Sequence, residues 1–321
     1  MLKTLAPGAL AWPRSAAIIG AGTMGLGVAE SWVAAGLAVK LVDVSPEQTR
    51  LARSRLDQRM RAHAEAGLID PEVIARVGSL PAVDDIESAV DDVDLVFEAV
   101  FEQIDVKQRV LAAIEARARP AALIASNTSS LPIDDLAAPL QHPDRFMGMH
   151  WFNPPEWTPG IELIPARATD PSAVERAKSF LQAIGKRPIV VGSGPGFVAN
   201  RIQLALFREA LACVEDGLAT PEQVDEVVRS CFGFRLPFYG PFQIADMAGL
   251  DVYRHVFGIL ERGLGERFQL PAALAARVEA GEYGTKTGAG FFSYTAEQRE
   301  RLLIERDRHY AMLSELLEQI P

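Results

Sequence analysis

The sequence predicts an α/β protein: a doubly wound parallel sheet followed by an all-α C-terminal domain. Three observations lead there. Residues 15–191 alternate short apolar runs with amphipathic stretches, the pattern of parallel strands covered by helices on both faces. The first run, residues 16–19, opens directly into Gly20-Ala21-Gly22-Thr23-Met24-Gly25 and a helix-forming stretch over 24–35. Beyond Gly192-Ser193-Gly194-Pro195-Gly196 the strand pattern stops, and the remainder reads as almost wholly helical.

Each element follows from its residues. The stretch 1–14 is a tail: Pro7, Gly8 and Pro13 interrupt its apolar residues, so it forms neither a signal peptide nor a membrane span. Residues 38–42 make a second strand ending at Asp43. The helix after it carries Arg50, Arg53, Arg55, Arg59 and Arg61, and two readings stay open for them: a solvated face paired with Glu47 and Asp57, or a grip on a substrate phosphate. Residues 94–100 form a strand, 103–117 a helix, and 122–126 a strand ending in the polar turn Asn127-Thr128-Ser129-Ser130. A helix over 171–184 and a last strand over 188–191 complete the sheet. In residues 197–215, Ile202, Leu206, Ala210, Cys213 and Val214 share one stripe too apolar for a lone surface helix, which suggests burial against a second subunit and hence a homodimer.

The glycine loop gives the first chemistry. Gly20 permits the tight turn, Gly22 lets backbone approach a pyrophosphate, and Gly25 lets helix and strand pack closely; with Thr23 and Met24 they form a dinucleotide cradle at a helix N-terminus. Asp43 lies about 20 residues past the glycines, where a carboxylate accepts hydrogen bonds from a ribose. It repels a 2′-phosphate, and Val44 and Ser45 supply no cation to hold one, so the cofactor expected is NAD. The chain therefore divides into the tail at 1–14, an NAD-binding Rossmann domain over 15–193, and a helical domain over 194–321 that carries the substrate cleft and dimerisation.

Composition narrows the function classes. At 321 residues the chain exceeds the usual single-domain size, and 49% hydrophobic residues suffice for a real core. The net charge of −10 argues against a nucleic-acid partner. Two cysteines, Cys213 and Cys231, without a C-x-x-C spacing, read as reduced, buried residues of a cytoplasmic protein with no metal site.

His150 ends a strand-like segment and precedes the rigid turn Trp151-Phe152-Asn153-Pro154-Pro155. An imidazole, with an unperturbed pKa of about 6.5, suits removal of a proton from an alcohol near neutral pH. Glu162, a lone acid in the apolar run Gly160-Ile161-Glu162-Leu163-Ile164, needs a partner and could fix the tautomer of that imidazole.

With these motifs the chain resembles the 3-hydroxyacyl-CoA dehydrogenase family over nearly its whole length. The stretches that carry the resemblance are residues 19–25, Phe97-Glu98-Ala99-Val100-Phe101-Glu102, Ser126-Asn127-Thr128-Ser129-Ser130-Leu131, His150-Trp151-Phe152-Asn153-Pro154, residues 195–201, Gly240-Pro241-Phe242 and Lys286-Thr287-Gly288-Ala289-Gly290-Phe291. The resemblance implies that His150 is the general base, Glu162 its orienting carboxylate, and Ser129 and Asn200 donors to the substrate oxygen. It also implies that Glu102, Lys107, Ser129, Asn153 and Lys286 touch the nicotinamide half of NAD, and it suggests a role in fatty acid metabolism. Neutral donors such as Ser129 and Asn200 suit an oxygen that gains negative charge as an alcohol is oxidised.

The substrate is less legible. After Pro154 the chain reads Pro155-Glu156-Trp157-Thr158, and Glu156 and Trp157 are expected to reshape the pocket. Arg235 is a candidate for binding a substrate carboxylate, or else forms a surface ion pair. The serine and lysine with which relatives hold coenzyme A phosphates have no clean match after Asp43. Residues 148–151, 246–251 and 294–298 resemble a branch of the family acting on small free acids, which includes a pyridine-carboxylate dehydrogenase. Three readings follow: a 3-hydroxyacyl-CoA dehydrogenase, a dehydrogenase of a small hydroxy acid, aromatic carboxylates included, and a non-catalytic NAD-binding protein akin to lens crystallins.

Overall fold

The computed structural model describes residues 2–6, 8–78, 80–81, 83 and 85–319; Met1 and Pro7 of the expected tail lie outside the described residues. Seven strands form one sheet: β1 (Ser15–Ile19), β2 (Ala38–Val42), β3 (Leu95–Glu98), β4 (Leu123–Ser126), β5 (Phe146–Trp151), β6 (Gly160–Pro165) and β7 (Arg187–Val190). Their order is β2-β1-β3-β4-β5-β6-β7. The chain leaves β1 to one side for β2 and returns to its other side for β3. That reversal opens a crevice at the carboxyl ends of β1 and β3, where open α/β sheets bind ligands.

The expected all-parallel sheet is corrected at one place. Strands β1 to β5 run parallel, but β6 is antiparallel to β5, and β7 is parallel to β6. Only residues 152–159 join β5 to β6. A parallel return needs a crossover of a dozen or more residues, whereas a short link of this kind reverses the chain.

Two apolar layers cover the sheet. On one face Trp32, Phe97, Trp151 and Phe180 meet edge to face around a buried centre. On the other, Leu111 and Ile114 of helix Ile104–Arg117 pack with Val96, Ile124 and Phe146. The alternation read from sequence has this cause: strands buried on both faces are apolar throughout, and their helices are apolar on one side.

The chain separates into two compact units, residues 1–206 and 207–321. The second contains helices Pro221–Val227, Pro241–Ala248, Leu250–Leu264, Ala272–Glu279 and Ala296–Glu318, around a small core of Ala245, Leu250, Leu274 and Val278. Buried Asp246 organises the segment 284–294. Its carboxylate accepts the Phe291 and Phe292 amides, both at 2.9 Å, and the Tyr294 hydroxyl at 3.0 Å. Burial, followed by the Asp246 hydrogen bond and charge, pushes that phenol up.

Helix Ala199–Glu215 has no buried residue in the single chain, and its stripe residues Ile202 and Leu206 are exposed. The expectation of two buried cysteines is corrected too: Cys213 is half-buried and Cys231 is exposed. Cys231 lies in the turn Val228–Phe232, which buries none of its side chains. Among the described residues no helix is long and apolar enough to cross a membrane.

Candidate active site

The loop after β1 has the shape its glycines require. Gly20 has φ +99°, and a Cβ there would stand 2.6 Å from the Ala99 carbonyl oxygen. A Cβ on Gly25 would come within 2.0 Å of the Gly20 carbonyl oxygen, so helix Thr23–Ala34 can press this close only without a side chain. Gly22 faces open space and caps that helix without a side-chain bond, leaving its first amides available to an anion.

A crevice of about 280 Å³ opens here, lined by the loop, Asp43, Val44 and residues 99–101. Val44 and Phe101 are 81% and 77% exposed, large apolar side chains with no apolar cover of their own. They form walls suited to a flat base, and sequence reasoning did not assign Ala99, Val100 or Phe101 to the cradle. The available signal was apolar residues just past the carboxyl ends of β2 and β3. Asp43 accepts the Ala21 amide at 2.9 Å and the Val44 amide at 2.7 Å, which holds its carboxylate at the loop. Open backbone, helix amides, carboxylate and apolar walls together fit a dinucleotide.

Glu102 follows β3, and Lys107 lies in the first turn of helix Ile104–Arg117. Lys107 is buried, its Nζ 2.7 Å from Glu98 and 3.4 Å from Glu102. Glu98 also accepts the Ser126 hydroxyl at 2.5 Å, which ties β3 to β4 beneath the crevice. Glu102 accepts the Thr128 hydroxyl and the Ser129 amide, each at 2.7 Å, and the Ser130 amide at 3.1 Å, and so gathers the turn after β4. Burial pushes its carboxyl up, but the Thr128 hydroxyl, the Lys107 charge and the Ser129 amide outweigh burial and hold it below the usual carboxylate range. A lowered carboxyl stabilises the fold above the unfolded pKa and loses that contribution as pH falls through the folded value. Thermal melts between about pH 6 and pH 3 should therefore fall less steeply for Glu102→Gln than for the wild type; parallel curves would deny Glu102 this part.

The antiparallel register places His150 directly across from Glu162. His150 is 3% exposed and Glu162 4%. His150 Nδ1 lies 2.9 Å from Glu162 Oε2. The other carboxylate oxygen accepts the Val198 amide at 3.1 Å and the Ala199 amide at 2.9 Å, at the start of helix Ala199–Glu215. With Nδ1–H donated to a carboxylate, Nε2 is the basic nitrogen of a neutral imidazole. Phe152 and Phe197 flank the ring at 4.3 and 5.7 Å. Phe197 adopts φ +51°, a left-handed conformation uncommon for a bulky residue, in the turn that delivers these amides. One turn on, Asn200 Nδ2 donates to the Ser129 carbonyl at 2.9 Å, so these two expected donors meet. Asn127, which the motif reading did not single out for a role, accepts the Trp151 amide at 3.0 Å and ties the turn to β5.

Other expected residues go elsewhere. Glu156 is 3% exposed and bonds the Arg59 guanidinium, which also holds fully buried Glu30 at 2.8 Å. His63 Nδ1 lies 2.5 Å from the other Glu30 oxygen, and Trp157 packs edge-on to His63 at 5.3 Å and onto the first core layer. Lys186 fixes the same loop from beneath, donating to the Pro155, Glu156 and Thr158 carbonyls at 2.7, 2.9 and 2.9 Å. The Glu30, His63 and Glu156 ligand atoms lie within 4.8 Å of one another, and Arg59 already brings a positive charge to them. Arg61 pairs with Asp57 at 2.8 Å, while Arg53 and Arg50 bond the Leu80 and Pro46 carbonyls. Of the pairings expected with Glu47 and Asp57, the Arg61–Asp57 pair is formed, while Arg50, Arg53 and Arg59 bond other groups of the chain. Lys286 and Arg235 belong to the second unit, where Lys286 pairs with Asp251 at 2.8 Å.

Comparison with known proteins agrees with this architecture. Residues 15–194 match the NAD binding domain of 3-hydroxyacyl-CoA dehydrogenase, and residues 196–294 match its C-terminal domain. The 5-formyl-3-hydroxy-2-methylpyridine 4-carboxylate 5-dehydrogenase of Mesorhizobium japonicum is 39% identical, over 95% of this chain and 98% of its own. A probable 3-hydroxybutyryl-CoA dehydrogenase of Bacillus subtilis is 35% identical over 86% of this chain and 96% of its own. A crystal structure of a 5-formyl-3-hydroxy-2-methylpyridine 4-carboxylic acid 5-dehydrogenase, described as an NAD+-dependent dismutase, aligns with a TM-score of 0.70. It shares 37% identity and covers 95% of this chain and 99% of that one.

Proposed function

Because the chain belongs to the 3-hydroxyacyl-CoA dehydrogenase family and is an NAD-dependent oxidoreductase acting on a hydroxyl group, we propose that its own substrate is the alcohol of a small free acid rather than a CoA thioester. The observation that carries this choice is the fate of the arginine helix after Asp43. Arg53 and Arg59 bond other parts of the chain and Arg61 pairs with Asp57, so three of the five arginines that could have gripped a coenzyme phosphate have other work. The relative named for a free pyridine carboxylate, similar over nearly the full length of both chains, supports the same reading. The thioester reading retains the family description and the Bacillus relative in its favour.

The geometry supports the following roles. His150 Nε2 takes the hydroxyl proton, and the Glu162 carboxylate keeps Nδ1 protonated and favours the imidazolium that results. Asn200, whose Nδ2 bonds the Ser129 carbonyl, and the Ser129 hydroxyl would donate to the oxygen that gains charge. NAD, when bound, supplies the hydride acceptor. The residues that would hold it are the loop Gly20 to Gly25, Asp43 and the apolar walls at one end, with Glu102, Lys107 and Asn153 toward the other. A bonded His150–Glu162 pair is more than a non-catalytic NAD binder requires. The exposed stripe with Ile202 and Leu206 supports a homodimer.

An absorbance assay at the NADH band tests the substrate. A hydroxymethyl- or formyl-pyridine carboxylate should turn over with kcat/KM at least about tenfold above that for acetoacetyl-CoA, a preference worth about 1.4 kcal/mol. The reverse order would return the protein to the thioester reading.

A further inference from the structure

The turn Gly233–Arg235 in the second unit is fastened to the last helix, Ala296–Glu318, by aromatic contacts on both sides of Arg235. Phe234 meets Tyr310 edge-on at 5.4 Å, Phe238 stacks on His309 at 4.7 Å, and the Tyr239 hydroxyl lies 3.1 Å from His309 Nδ1. Arg235 lines a cavity of about 240 Å³ with Ile244, Met247, Arg306 and Tyr310. Arg306 is neutralised by Asp307, at 2.9 and 2.7 Å. Arg235 has no hydrogen-bonding or charged partner among the described residues. Burial pushes the Tyr310 phenol up, aided by the Asp307 charge and opposed by those of Arg235 and Arg306.

A half-buried guanidinium on an aromatic-braced turn is pre-organised for a planar anion, because its fork matches two carboxylate oxygens. Ile244, Met247 and Ala248 supply apolar wall beside Arg306, Asp307 and Tyr310, and the volume falls below the roughly 300 Å³ at which pockets for drug-sized ligands begin, so the ligand body is about one ring. Met247 offers the thioether contact that ring edges favour. We propose that this cavity binds the carboxylate of a small aromatic acid, with Arg235 as the bidentate donor and Ile244 and Met247 against the ring. The inference goes beyond the reaction assigned above and does not depend on it, since binding is read without turnover.

Titration calorimetry on the full-length protein without NAD tests it, with benzoate as the probe and benzamide as its neutral counterpart. Benzoate should bind saturably, benzamide at least about tenfold more weakly, and Arg235→Gln should weaken benzoate by about tenfold to a hundredfold, the range for charge-assisted hydrogen bonds. Ala248→Trp, which fills the cavity from its exposed rim, should abolish binding while circular dichroism and the melting temperature stay unchanged. If Arg235→Gln fails to fold, Ala248→Trp decides alone. Absence of saturable uptake by the wild type, undiminished affinity in folded Arg235→Gln or Ala248→Trp, or binding lost only in His150→Ala would each overturn the proposal.

Discussion

His150→Ala should lower kcat by about 10²–10⁴ while leaving NAD affinity within roughly twofold of wild type. The imidazole is the proposed base, with the Glu162 carboxylate on its Nδ1, and positioned acid–base groups contribute a factor of that size. The crevice lined by the glycine loop, Asp43, Val44 and residues 99–101 does not include His150, so cofactor binding should survive. Single-turnover kinetics and an NAD fluorescence titration separate the two quantities. A variant that retains turnover, or that loses NAD affinity tenfold, would remove His150 from the role of base.

The largest effect on stability is expected at Arg59. Arg59→Met should cost about 3–5 kcal/mol, because deleting one partner of a buried ion cluster strands the others. Here the stranded groups are Glu30, fully buried, and Glu156, 3% exposed, one Oε2 of which already has no hydrogen-bond partner. Methionine keeps most of the apolar stem, so the loss would be electrostatic rather than a packing defect. Urea unfolding measures it, and adding Glu30→Gln and Glu156→Gln to the same chain should restore a large part. A loss under about 1 kcal/mol in the single variant would mean that water or His63 already compensates both acids.

The cofactor cradle was legible because its parts are contiguous. Strand, glycines, helix and Asp43 occupy residues 15–43, and Gly20 and Gly25 answer to steric demands that the structure displays. The pairing of His150 with Glu162 was also legible, since an acid inside an apolar strand must find a partner. The direction of β6 was not read, although the brevity of residues 152–159 carried the signal. The same reasoning that exposed Glu162 applied equally to Glu30, an acid within the apolar helix Thr23–Ala34, and would have claimed a cation for it. That the cation is Arg59, and that Glu156 joins from far along the chain, depends on three-dimensional proximity that residue counts along a helix do not encode. Likewise the apolar walls at Val44 and Phe101 are apparent only once their exposure is known.

Glu162 spends one oxygen on the imidazole and the other on the opening amides of helix Ala199–Glu215. A single side chain thereby serves two masters, so the base cannot be retuned by exchanging its acid without also unfastening the helix that carries Asn200. Shifts in that helical start, in turn, move the carboxylate that orients the ring. Redesign of this enzyme has more freedom at Phe152, which crowds the imidazole without belonging to the turn that anchors its carboxylate.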